Sequence, residues 1–206
     1  MLVSLAGALA LASTASAAAI DACGAPPATS SPCSSYTIIN ARGTTEPQGE
    51  SVGFLTMNKK VIAEQSGGKI LINQVAKILG QDASECIILE GYSQGATVVV
   101  DALRQLTGAS FDAVKGVFLI GDTRHEPGLA CNVDMQGGDK TKDTTGLLYA
   151  DGNGIPQDWV SKTLDGDSVC DRDSANGTTI TEEHLAYPGD AGLQSMGAKF
   201  VLKQLS

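Results

Sequence analysis

The chain is poor in the groups on which many binding chemistries depend. It has 206 residues but only two histidines, His125 and His184. No Cys-x-x-Cys pair and no cluster of cysteine with histidine occurs, so the spacing of a zinc site is absent. Neither a metal nor an organic cofactor is expected. Basic side chains are scarce: 14 Lys and Arg against 23 Asp and Glu give a formal charge of −9, with no basic run. Nucleic acid and anionic membranes are therefore not expected as partners. No internal repeat is visible, and the length suits one domain with one sizeable core.

Charge is also missing from Met1–Ala19. An apolar stretch from Leu5 to Ala12 is followed there by Ala15-Ser16-Ala17, an A-x-A cleavage pattern. This reads as a signal peptide over residues 1–17, although it lacks the usual Arg or Lys near its start. The stretch is too short and too rich in Ala and Ser for a membrane anchor. Residues 18–32, rich in Ala, Pro and Ser, read as an N-terminal arm, and 33–206 as the folded domain. The mature chain is expected to be secreted and soluble.

In an oxidising compartment the five cysteines, Cys23, Cys33, Cys86, Cys131 and Cys170, are expected to pair where geometry allows, leaving at least one over. Asn176-Gly177-Thr178 is a glycosylation sequon and makes Asn176 a candidate for a surface glycan.

Strand-like and helix-like runs alternate. Tyr36–Ala41 is a β-branched run that leads into the loop Arg42-Gly43-Thr44-Thr45-Glu46-Pro47. Helical periodicity follows over 52–65 and again over 70–79, with Gly67-Gly68 between them. Cys86–Glu90 and Val114–Gly121 are apolar runs of the kind buried on both faces of a sheet. Leu147–Ala150 and Val160–Leu164 are weaker strand candidates, and Ala191–Leu205 is a terminal helix. The alternation predicts an α/β fold with a mostly parallel sheet flanked by helices and a site at the carboxyl ends of its strands.

The most informative motif is Gly91-Tyr92-Ser93-Gln94-Gly95, placed between an apolar run and the helix-forming stretch Ala96–Leu106. Strand, G-x-S-x-G, then helix is the context of a nucleophile elbow, in which a tight turn lifts the serine clear of the sheet. A serine hydroxyl needs a base. The chain order nucleophile, acid, histidine favours His184 over His125, which has only Asp112 or Asp122 as a preceding acid. Asp165, Asp167, Asp171 and Asp173 crowd one turn, and spacing does not separate them as the orienting acid. An oxyanion hole would draw one amide from Gln94 and a second from the loop Arg42–Thr45.

These residues resemble the fungal cutinase family, and within it the cutinase-like enzymes of yeasts. The resemblance spans nearly the whole mature chain. It rests on Ser34-Ser35-Tyr36-Thr37-Ile38-Ile39-Asn40-Ala41-Arg42-Gly43-Thr44, on Gly91-Tyr92-Ser93-Gln94-Gly95-Ala96, on Gly166-Asp167-Ser168-Val169-Cys170 and on His184-Leu185-Ala186-Tyr187. It implies a lidless α/β-hydrolase over residues 33–206 that cleaves carboxylic esters of hydrophobic acids, including cutin, short- to medium-chain acyl esters and polyesters. By the resemblance, Ser93 is the nucleophile, Asp167 the acid, His184 the base, Thr44 and Gln94 the oxyanion pair, and Cys33 with Cys86 a disulfide. The implied partner is a small-molecule or polymeric ester, met by a monomer without a membrane anchor.

Two departures stand out. Relatives continue from the double glycine into an edge strand, whereas here the helical pattern resumes at Lys69 and Ile70, so the edge strand is expected to be missing. Relatives also pair the cysteine matching Cys170 with one a few residues earlier, and Thr163-Leu164-Asp165 offers none. Cys170 would stay unpaired or bond Cys131 or Cys23. Two alternatives remain open: an acetylxylan esterase, and a secreted homologue that has lost catalytic competence. Four Phe, four Tyr and one Trp offer little surface for stacking sugars, which favours the polyester reading over acetylated xylan.

Overall fold

A computed structural model describes residues 32–64, 68–72, 85–166 and 182–206. The signal peptide, Asp167, Asp171, Asp173, Asn176, Cys23 and Cys170, each given an expectation above, lie outside these residues.

Among the described residues, six strands form one sheet: β1 (Tyr36–Ala41), β2 (Gly68–Ile72), β3 (Cys86–Tyr92), β4 (Val114–Ile120), β5 (Asn132–Val133) and β6 (Thr163–Gly166). Their order across the sheet is β2-β1-β3-β4-β6-β5, and every pairing is parallel. Every residue of β1 and β3 is buried. Alternate side chains of a strand point to opposite faces, so unbroken burial means that both faces are covered.

Among the described residues, four α-helices supply the cover: α1 (Leu55–Glu64), α2 (Gln94–Leu103), α3 (Ala109–Ala113) and α4 (Ala191–Leu205). Helix α2 packs on β3 and β1, turning Val99, Val100 and Leu103 inward. Helix α4 packs on α1, β4 and β6. Phe118 of β4 meets Phe54 edge-on at 6.0 Å and Phe200 of α4 at 6.3 Å. A side chain at Gly197 would collide with Met57 Sδ and the Phe118 ring, so glycine lets α4 approach the sheet. Asp190 caps α4, its carboxylate accepting from the Leu193 amide at 2.7 Å. Buried Gln194 then ties three segments together. Its Oε1 accepts from Met57 N at 2.9 Å, and its Nε2 donates to Gly53 O at 2.6 Å and Tyr187 O at 3.1 Å. Among the described residues, no helix is long and apolar enough to cross a membrane.

The expected loss of the edge strand is wrong. Gly68–Ile72 is strand β2, in register with β1 from Tyr36↔Gly68 to Asn40↔Ile72. A short apolar run after a double glycine fits a strand as well as a helix turn, and the predicted helix over 70–79 took it for the latter. The strand gives the outer backbone groups of β1 their partners, which an open edge would leave unmet. Nor is Leu147–Ala150 a strand. It is a turn held by Gly146 N to His125 O (2.9 Å) and Leu148 N to Thr123 O (2.7 Å). The run Val160–Leu164 straddles a 3₁₀ turn (Gln157–Lys162) and the start of β6.

The Cys33–Cys86 disulfide joins the segment before β1 to the first residue of β3 across 53 positions. A link over a loop of that length contributes about 2–4 kcal/mol. Cys131 is buried just before β5.

Candidate active site

Ser93 stands between β3 and α2 with φ 56° and ψ −120°. Thr45 and Ser93 are the described non-glycine residues with positive φ, a conformation that costs about 1–3 kcal/mol. Surrounding contacts impose it. Ser93 N donates to Ile120 O at 2.9 Å, holding the turn against β4. A Cβ at Gly91 would lie 2.6 Å from Ala96 Cα, and one at Gly95 would run into Ala41 O, so only glycine fits at either position. Gln94 opens α2, so its amide is one of the orphan donors of a helix N-terminus.

His184 sits in a 3₁₀ turn (Glu183–Leu185) just ahead of α4 and is buried. Its ring stacks on Tyr92 (centroids 5.5 Å apart, planes at 21°) and meets Tyr187 edge-on at 5.7 Å. The Tyr92 hydroxyl donates to the His184 carbonyl at 2.7 Å. On a further side a Cβ at Gly121 would lie 2.8 Å from His184 Cε1. Burial lowers the pKa of this imidazole from its usual 6.5. The ring is thus biased toward the neutral form that accepts a proton.

Ser93 and His184 line one cleft of about 210 Å³, together with Thr44, Glu46, Val52 and Leu185. Gly43 brings the loop after β1 against the nucleophile, for a Cβ there would lie 3.4 Å from Ser93 Cβ. The Thr44 hydroxyl donates to Gln94 Oε1 at 3.3 Å, so this loop and the start of α2 touch across the mouth of the cleft. Four sequence candidates, Ser93, His184, Thr44 and Gln94, are therefore neighbours. In the sheet register Gly166 pairs with Ile120, which pairs with Tyr92, the residue before Ser93.

The other histidine serves a different centre. His125 and Asp165 are fully buried, and His125 Nδ1 lies 2.7 Å from Asp165 Oδ2. His125 Nε2 donates to Thr141 O at 3.2 Å, so both ring nitrogens are occupied. Burial works against charge on this ring, but the Asp165 carboxylate, its hydrogen bond and Asp122 raise the pKa to about 9. Asp165, one of the four aspartates left open by spacing, is thus committed to His125. Sequence order offers only Asp112 or Asp122 to this histidine, because the acid that reaches it comes later in the chain. Sequence reasoning also gave no role to Glu46 or Tyr92. Tyr92 lies inside the G-x-S-x-G motif, and its aromatic ring was the one available signal.

A parallel sheet with helices on its faces and the Ser93 cleft at the carboxyl ends of its strands is the fold of a lidless α/β-hydrolase. The family model for cutinase matches residues 59–205. A cutinase of Monilinia fructicola is 26% identical over 199 residues, covering 84% of this chain and 84% of its own. The solved structure of a cutinase-like protein from Cryptococcus sp. superposes with a TM-score of 0.78 at 45% identity, covering 86% of this chain and 98% of that one. The catalytic core of an acetyl xylan esterase from Trichoderma reesei superposes with a TM-score of 0.61 at 21% identity over 84% of this chain and all of its own, a likeness of fold alone. The chain belongs to the cutinase family, and with it to the ester hydrolases.

Proposed function

We propose that the chain is a secreted serine esterase that hydrolyses carboxylic esters of hydrophobic acids through an acyl-enzyme. The observation that carries this reading is a serine on a strained elbow sharing one cleft with a buried histidine whose pKa is lowered. Ser93 Oγ attacks the ester carbonyl while the His184 imidazole takes its proton. The C–O bond to the alcohol then breaks, and the imidazolium returns the proton to the leaving oxygen. Water repeats the attack in the second half, releasing the acid and restoring Ser93. Asp167 orients and stabilises the imidazolium. The amides of Thr44 and Gln94 bind the oxyanion, and donors of this kind are worth about 10²–10³ in kcat each.

Apolar surface at the cleft mouth supports acyl chains as the preferred group. Leu185 is 62% exposed beside His184, and Val52 and Pro188 line the same opening. Secretion follows the reading of residues 1–17 as a signal peptide. The test compares p-nitrophenyl butyrate, a polyester film and acetylated xylan as substrates for the mature chain and its Ser93→Ala variant. Cleavage of butyrate and film, lost in the variant, is the expected result. Release of acetate from xylan without film erosion would favour the acetylxylan esterase instead, and ester cleavage retained by folded Ser93→Ala would refute the site.

A further inference from the structure

We propose that Glu46 is a positioning residue for this reaction: its carboxylate fixes the loop after β1 so that the Thr44 amide, and not that of Gly43, faces the reacting carbonyl. The role rests on the oxyanion assignment above and extends it to a residue that touches no reacting atom.

The carboxylate lies at the centre of a closed set of donors. Glu46 Oε2 accepts the Gly43 amide, and Oε1 accepts the Val52 amide at 2.7 Å. Ser51 Oγ stands 3.0 Å from both oxygens. Hydrogen bonds to a charged acceptor are about twice as strong as neutral ones, and here they hold both sides of a tight loop to one group. The Glu46 main chain is clamped as well, with Arg42 Nη1 donating to Glu46 O at 3.0 Å and to Pro47 O.

This cluster is anchored to the sheet. Ser51 is fully buried, and its amide donates to Asn40 Oδ1 at 3.1 Å. Asn40, on β1, in turn donates to Glu90 Oε2 on β3 at 2.8 Å. The carboxylate therefore relays the position of two central strands to the loop that faces Ser93.

Two features of the loop need such a hold. Thr45 has φ 65°, a strained conformation for a non-glycine residue that persists only when its surroundings impose it. Gly43 sits between Ser93 and Glu46: a Cβ there would lie 3.3 Å from Glu46 Oε2 and 3.4 Å from Ser93 Cβ. With the Gly43 amide engaged by Glu46, the amide of Thr44 has no acceptor among the described residues and is left for the oxyanion.

Replacing Glu46 by glutamine keeps the shape but sets an NH₂ against one of the two backbone donors. The test measures kcat and KM for p-nitrophenyl butyrate, with kcat expressed per serine titrated by a phosphonate. It adds the affinity for an alkyl boronic acid, whose tetrahedral adduct places an oxygen where the oxyanion forms. For Glu46→Gln, kcat per titrated serine is expected to fall about tenfold to a hundredfold, with KM changed less than about twofold. Boronic acid affinity should fall in parallel, while affinity for the product butyrate holds. A merely structural role would lower the number of titratable serines and leave kcat per serine unchanged. If Glu46→Gln does not fold, Ser51→Ala keeps the charge, removes one donor and is expected to lower kcat per serine about threefold or more.

Unchanged kcat per serine in Glu46→Gln, or in Ser51→Ala where only that variant folds, overturns the positioning role while the esterase reading stands. A change confined to KM also overturns it, since that would mean a charge acting on substrate and not on the loop. A folded wild-type chain with neither turnover nor a phosphonate adduct overturns both.

Discussion

Tyr92 and His184 hold each other in two ways: their rings stack at 5.5 Å, and the Tyr92 hydroxyl donates to the His184 carbonyl at 2.7 Å. The residue beside the nucleophile thus fixes both the plane of the base and the backbone that carries it. Tyr92→Phe keeps the stack and removes the hydrogen bond. It is expected to cost about 1 kcal/mol of stability and to lower kcat severalfold, with KM little changed. Thermal unfolding and steady-state kinetics check this, and a variant equal to wild type in both would mean that the hydroxyl does not position His184.

The pH dependence of turnover reports the environment of His184. A base must be neutral to accept a proton, and burial lowers its pKa from 6.5. The acidic limb of the kcat/KM profile is expected to have its midpoint below about 6.5, so the enzyme keeps working in mildly acidic solution. A midpoint above that value would show that a neighbouring carboxylate outweighs burial.

Stability is expected to fall on the alkaline side. Burial raises Glu90 to about 8, with Asn58 and Asn40 opposing, and Glu90 Oε1 has no partner among the described residues. Burial, then the charge of Asp165, raises Asp122 to about 7, and His125 stands near 9. Each of these three folded pKa values exceeds its ordinary value, so at these groups the folded chain binds more protons than the unfolded one, while His184 and Lys162, both lowered by burial, the latter to about 8, act the other way. The contribution of each raised group is complete below its ordinary pKa and is lost as pH rises through the folded value. Tm is therefore expected to decline between about pH 5 and 8, where the two buried acids outweigh His184, and Glu90→Gln to flatten the decline. A Tm that is level or rising over this range contradicts the assignment.

The elbow tolerates no side chain beside the nucleophile. Gly95→Ala would drive a methyl group into Ala41 O, and Gly91→Ala would place one 2.6 Å from Ala96 Cα. Each is expected to destabilise the fold by about 3 kcal/mol and to abolish turnover. Tm and activity of either variant check this, and a stable, active Gly95→Ala would mean that the turn has another geometry.

Much of this was legible in the sequence because it depends on local pattern. Tyr36–Ala41 and Ala191–Leu205 have the bounds that periodicity assigns, and the apolar runs at 86–90 and 114–121 are the central strands. Chain order and the elbow motif picked out Ser93 and His184, which do share a cleft. Failures came where position depends on distant chain. Gly68–Ile72 is too short for periodicity to separate strand from helix, and its partner β1 decides the matter. His125 and Asp165 are 40 positions apart and meet only because β4 and β6 are neighbours. Glu46 acts through backbone amides, which no side-chain motif reveals.

The proposed reaction requires Ser93 to be an activated nucleophile. The most direct test treats the folded mature chain with an alkyl p-nitrophenyl phosphonate and reads adduct mass and p-nitrophenol release. One adduct per chain is expected, located on Ser93 and absent from Ser93→Ala, with esterase activity lost in step with labelling. A folded wild-type chain that takes up no phosphonate, or an equal adduct on Ser93→Ala, would contradict it.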